Sequence, residues 1–241
     1  MDVNHWQIGK MPFMSYRSNF SDKWSHGDDP TNFKNNPNKD FWNDVDISYV
    51  YNKQGFRCPD LENFLGKKVN IALGCSFTEG IGLPIDRVWP SLIEKKLEYP
   101  LLNLGIAGGS TDTPARILTN ISTLFEIQTV FILWPALTRL ELYHIDPNIG
   151  PNVAYIQPGT GKIEHTWALE KEMCTQQYYK NRLIVSQLAS NFGYTVKQFT
   201  MSETMKTCRY DQEFQDADRA RDGRHWGFQT HELVSEMFLN A

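Results

Sequence analysis

Ser76, Asp222 and His225 are the residues of this chain whose types and spacing could carry out a reaction. Ser76 lies in VNIALGCSFTEGIG, Val69 to Gly82, where an apolar run stops at Gly74 and a turn of small residues follows. A hydroxyl just past the carboxyl end of a central strand stands where open α/β sheets build their sites. It becomes a nucleophile only if a base takes its proton and an acid orients that base. Asp222-Gly223-Arg224-His225 offers both in one glycine-containing loop. The carboxylate can reach the Nδ1 side of the imidazole, which leaves Nε2 to face the serine. The motif is short, and a surface loop with a capping Asp has the same pattern. Acyl transfer also needs N–H donors aimed at a developing oxyanion. The Ser76 N–H is one candidate. Gly108, in the loop after the next strand, is a second, because glycine lets the backbone come close. A tight strand-to-helix turn would use the same glycines.

Other chemistries fit these residues less well. Cys75 would make a stronger nucleophile as a thiolate, but it precedes the turn position that suits attack. A metal site from Asp222, His225 and His231 lacks a clean ligand spacing and leaves Ser76 unexplained. Gly74 to Gly80 carries no Lys, and Glu79 would repel a phosphate. Gly105-x-x-Gly108 is short of a dinucleotide fingerprint. His231 falls within the last helix and reads as structural, while His5, His26, His144 and His165 read as surface histidines.

These residues must be positioned by an alternation of strands and helices. Val69 to Leu73 reads as a buried parallel strand, and Ile47 to Tyr51 as a strand ahead of it. A helix over 89–97 follows, then a strand at Leu101 to Leu104, and a helix capped by Asp112 with Ile117, Ile121 and Leu124 on one face. Gln128 to Trp134 has the highest apolar content of any strand. Residues 135–167 break the rhythm and read as an insertion over one edge of the site. A long helix from about Ala168 to Phe192 carries Tyr179, Leu183, Leu188 and Phe192 along one side and stops at Gly193. A strand at 194–201, a helix at 212–220 and a last helix from Phe228 complete the series. Such alternation means βαβ units and a parallel sheet. Residues 1–45 lack either periodicity yet hold eight aromatics, Trp6 and Trp42 among them. They are expected to form an irregular arm that wraps the 46–241 domain or docks on a partner.

The 241 residues are 41% hydrophobic, enough to bury a sizeable core. A net charge of −4 without a basic run argues against a nucleic-acid partner. No stretch has the length and apolarity of a membrane span, and the first residues do not resemble a signal peptide. The four dispersed cysteines are expected to be free thiols in a cytoplasmic protein, or in one carried on a virion if the source is viral.

Taken in order, Gly74-Cys75-Ser76-Phe77-Thr78, Asn103-Leu104-Gly105-Ile106-Ala107-Gly108 and Asp222-Gly223-Arg224-His225 resemble the SGNH (GDSL-like) hydrolases. The likeness runs from about Lys68 to the end, and Tyr51-Asn52-x-x-Gly55-Phe56-Arg57 resembles the lead-in of some bacterial members. The resemblance implies a flavodoxin-like three-layer α/β/α sandwich with a Ser–His–Asp triad of Ser76, His225 and Asp222. It implies no cofactor and no metal, and hydrolysis of esters or thioesters, with a small-molecule or glycan ester as substrate. Two positions depart from the family. Its Asp before the serine is Cys75 here, and its Gly-x-Asn after the third strand is replaced by Trp134-Pro135-Ala136-Leu137-Thr138-Arg139. Thr138 or Arg139 would then have to supply the missing side-chain donor to the oxyanion. The competing expectation is a non-catalytic SGNH-like module that binds carbohydrate or serves a structural role.

Overall fold

The computed structural model describes residues 18–142, 172–202 and 218–241, together with the backbone of 7–8, 11–12, 143–146, 150–156 and 171. Two short strands, β1 (Gln7–Ile8) and β2 (Met11–Pro12), pair antiparallel. β3 (Ser21–Asp22) precedes two single-turn helices, α1 (Pro30–Lys34) and α2 (Lys39–Asn43), and pairs with β4 (Tyr49–Val50). The strand expected over 47–51 is thus only two residues long. Then come β5 (Lys68–Leu73), α3 (Ser76–Glu79), α4 (Trp89–Glu94), β6 (Leu101–Asn103), α5 (Asp112–Ile121) and β7 (Glu126–Trp134). A hairpin of β8 (Leu140–Asp146) and β9 (Gly150–Ile156) leads toward α6 (Lys171–Phe192), β10 (Thr195–Thr200) and α7 (Phe228–Asn240).

β6, β5, β7 and β10 form one parallel sheet in that order. Counting only these four strands along the chain, the order is 2-1-3-4, the flavodoxin-like arrangement. The two-residue period of the strands decides which side chains meet which helices. Val69, Ile71 and Leu73 of β5 and Val130, Ile132 and Trp134 of β7 face the layer that holds Ile117, Leu118 and Ile121 of α5 and Tyr178 and Val185 of α6. Ala72, Phe131 and Leu133 face the opposite layer, against Trp89 and Ile93 of α4 and Val234 and Phe238 of α7. The fold is therefore a three-layer α/β/α sandwich. Each fully buried Val, Leu, Ile or Phe in these clusters stabilises it by about 1.5–3 kcal/mol.

Several local expectations are corrected. Asp112 is the first residue of α5 rather than its cap, which is Thr111. The Asp112 carboxylate instead accepts bonds from Ser110 Oγ and from Asn181 and Gln177 of α6. On α6 the buried stripe is Cys174, Tyr178, Asn181 and Val185, while Tyr179, Leu183 and Phe192 are exposed. Asn181 belongs in that stripe because its amide has partners on α5, which apolar counting misses. The helix expected over 212–220 lies largely outside the described residues. Its last part, 218–220, is not helical but one side of a turn in which Arg219 bridges Trp226. Of the 135–167 insertion, the hairpin is described, and its Glu141 is anchored to Arg116 and Thr113 of α5.

A third apolar cluster sits at the carboxyl edge of the sheet. It joins Trp42, Ile47, Tyr49 and Tyr51 to Ile81 and Leu83 beyond α3, Ala107 after β6, and Ala220. This packing brings the loops after β5 and β6 together with the turn before α7.

Candidate active site

Gly74 ends β5 at φ +157° because a Cβ there would lie 2.1 Å from Thr78 Oγ1 and 2.7 Å from the Leu133 carbonyl. The chain then turns through Cys75 into α3, whose first residue is Ser76 and whose end is fixed by Gly80 in the left-handed region. The Ser76 N–H and its side chain are both left at the start of this turn of helix.

The loop before α7 is shaped by its own polar groups. Asp218 caps α7 through the N–H groups of Gln229 and Thr230, and Ala220 N–H donates to His225 O. Gly223, at φ +68°, turns the tip. Asp222 Oδ1 accepts from the N–H groups of Arg224 and His225, an Asx-type turn that curls the chain back over its own carboxylate. Asp222 Oδ2 lies 2.5 Å from His225 Nδ1, and His225 Nε2 lies 2.8 Å from Ser76 Oγ. Burial alone would push the Asp222 carboxyl up, but the bonds and charge of His225 outweigh it and hold the group below the ordinary carboxylate range. It stays ionised at neutral pH and fixes the proton on Nδ1, so Nε2 is free to accept one from the hydroxyl. Phe77 packs its ring 4.9 Å from the His225 ring and 4.4 Å from that of Trp226.

The loop after β6 closes the other side. Leu104 N–H donates to Ala72 O, Gly105 to Asn103 Oδ1, Ile106 to Gly74 O, Ala107 to Glu79 Oε2, Gly109 to Ile106 O and Ser110 to Thr113 Oγ1. Among the described residues, the Gly108 N–H alone in this run has no acceptor, and Gly108 stands at φ +79°. Ser76 N–H likewise donates to no described group. The loop can bend this closely because Gly105 has no side chain: a Cβ there would lie 2.5 Å from Glu79 N.

The remaining sequence candidates fall as follows. Arg139 Nη1 donates to the Gly109 carbonyl at 3.4 Å, and Glu141 pairs with Arg116. Thr138 has an exposed side chain in the turn before β8 and makes no hydrogen bond to the site among the described residues. Cys75 is buried and does not meet His225, which Ser76 does. His231 is buried in α7, where Nδ1 accepts the Trp89 N–H; burial, with the nearby His225 and Arg57, lowers it to about 3. Among the described residues no three His, Cys, Asp or Glu side chains are grouped as metal ligands. No helix there is long and apolar enough to cross a membrane. His165 lies outside the described residues.

Several site neighbours carry no motif of their own. Arg57 is buried and donates to the Gly80, Leu83 and Ser48 carbonyls, holding the end of the nucleophile turn. Asp28 and Arg221 form a buried ion pair at 2.6 Å, with Trp24 stacked 4.1 Å from the guanidinium. Tyr49 donates to Asp28 and accepts from Gly82 N–H; burial and the Asp28 charge push its phenol up, so it keeps its proton. His26, expected at the surface, is mostly covered, with Nε2 3.5 Å from Glu79 Oε1. Only Arg57 could be picked out in the sequence, as part of the lead-in motif; the rest depend on pairings between distant segments.

By sequence, no protein family matches the chain, and no curated protein does. Solved structures similar to it include a lipolytic protein of the G-D-S-L family from Veillonella parvula, at 13% identity, TM-score 0.38, over 72% of this chain and 97% of that one. A psychrotrophic esterase from Pseudoalteromonas matches at 12% identity, TM-score 0.38, over 71% of this chain and 94% of that one. An acetyl-xylooligosaccharide esterase from Geobacillus matches at 12% identity, TM-score 0.37, over 73% and 94% of the two chains.

Proposed function

We propose that this protein is a serine hydrolase of the SGNH type that cleaves small acyl esters, with O-acetyl groups on carbohydrate as the favoured substrate class. The observation that carries the reading is the continuous contact from Ser76 Oγ to His225 Nε2 and from His225 Nδ1 to Asp222. In the first step Ser76 Oγ bonds to the ester carbonyl carbon as its proton passes to His225 Nε2. Asp222 stabilises the imidazolium. The carbonyl oxygen becomes an oxyanion that the Ser76 and Gly108 N–H groups can receive. Collapse breaks the ester C–O bond, and His225 returns the proton to the departing alcohol. Water, deprotonated by His225, then releases the acid and restores Ser76. The carbohydrate preference rests on the motif resemblance alone.

Labelling with a fluorophosphonate and peptide mass spectrometry tests this without a choice of substrate. Label is expected on Ser76 and absent in His225→Ala, with ester turnover in that variant reduced on the order of 1,000-fold or more. A folded protein that takes no label, yet binds acetylated glycan, would instead be a binding module.

A further inference from the structure

Glu79 is one of the most deeply buried carboxylates in the described part of the molecule, and the triad does not use it. It lies three residues after Ser76, on the same side of α3. One oxygen, Oε2, accepts the Ala107 N–H at 2.5 Å. The other, Oε1, accepts the Tyr51 hydroxyl and lies 3.5 Å from His26 Nε2. With the Tyr51 proton committed to Glu79, the Ser25 hydroxyl 3.0 Å away is the donor in their shared bond. A buried carboxylate is costly unless its oxygens are bonded. Burial pushes Glu79 up, but His26, Tyr51 and the Ala107 N–H together outweigh it and keep the group ionised.

We propose that Glu79 is a positioning residue for the oxyanion site: by holding the Ala107 N–H it turns the next N–H, that of Gly108, toward the oxygen of the carbonyl attacked by Ser76. The inference rests on the hydrolase reading. Its basis is the pattern of committed donors in the loop. The neighbours of Gly108 are tied to Gly74, Glu79 and Ile106, so the peptide between Ala107 and Gly108 is fixed from both sides. Of those ties, only the Glu79 bond comes from a side chain, and that side chain is itself set by residues of the segment ahead of the sheet. The nucleophile and the oxyanion donor are therefore held at one spacing by a single turn of helix.

The test compares Glu79→Ala, Glu79→Asp and Glu79→Gln using p-nitrophenyl acetate, with competent serines counted by fluorophosphonate. A misplaced donor of this kind costs about 10- to 100-fold. Glu79→Ala and Glu79→Asp are expected to lose that much kcat per titrated serine, with KM and the pH midpoint of kcat/KM unchanged. Aspartate keeps the charge but is one methylene too short to reach Ala107. Glutamine keeps an oxygen in place and is expected to recover most of kcat. If Glu79→Ala does not fold, the Asp and Gln pair still decides. Wild-type kcat per serine in Glu79→Asp, or a moved pH midpoint, would overturn the proposal. Failure of the wild-type protein to label would instead overturn the hydrolase reading.

Discussion

Two histidines six positions apart show how much an imidazole depends on what its nitrogens touch. His225 has a carboxylate on one nitrogen and a hydroxyl on the other. His231 is enclosed in α7 with a backbone N–H on Nδ1, and charging it would bury an unpaired cation. Its folded pKa of about 3 lies below its ordinary 6.5, so as pH falls the unfolded chain binds the proton first. Stability is therefore lost as pH drops from about 6.5 toward 3, at up to roughly 1.4 kcal/mol per unit. Asp222 and Glu79 are held below their ordinary values of 3.8 and 4.5, so their contributions are present above those values and are lost only below them. Denaturant melts between pH 4.5 and 6.5 should show the His231 slope, and His231→Asn should flatten it while its amide oxygen still accepts the Trp89 N–H. The separate surroundings of these two histidines were legible in the sequence, because the Asp lies three residues before one and the other falls on a helix. His26 was not legible, since its partner Glu79 lies in a different segment.

At the level of the element, the loop after β6 depends on two glycines for different reasons. Gly105 is packed against the backbone of α3, so Gly105→Ala forces two chain segments apart at a cost of about 1–3 kcal/mol. Gly108 has no atom within 4 Å of where a Cβ would be, but its φ of +79° strains any other residue by roughly 1–2 kcal/mol. Thermal melts should therefore rank Gly105→Ala as the more destabilised, with turnover falling in both. The parallel strands could be read from their apolar runs, whereas their order came only with the motif resemblance. The stripe of α6 could not, because Asn181 is buried by hydrogen bonds and Tyr179 and Leu183 are left outside. Of the two side chains that the sequence offered as donors, Arg139 donates to the Gly109 carbonyl, and Thr138 is exposed.

Across the whole molecule, the segment from Trp24 to Tyr51 is wired into the site. Asn36 donates to the Ala220 and Arg221 carbonyls, Trp42 Nε1 to Arg219 O, and Asp28 pairs with Arg221. Those contacts hold the turn that carries Asp222 and His225. Removing one partner of a buried ion pair leaves the other charge stranded, at about 3–5 kcal/mol. Asp28→Ala should lose that much in urea unfolding, and adding Arg221→Met should restore part of it. Unchanged stability in Asp28→Ala would mean that the guanidinium finds water or another acceptor.

The same ion pair also bears on when Ser76 and His225 can meet during synthesis. Asp28 and Arg221 are 193 positions apart, and Ser76 and His225 are 149 apart. Contacts that close such long loops form late, after the local helices and neighbouring strands. On a ribosome, the sheet through β10 can assemble while the serine still has no base. The Ser76–His225 contact therefore forms only after the Asp218–His225 turn has emerged and been seized by Asp28, Asn36 and Trp42, residues made well before it.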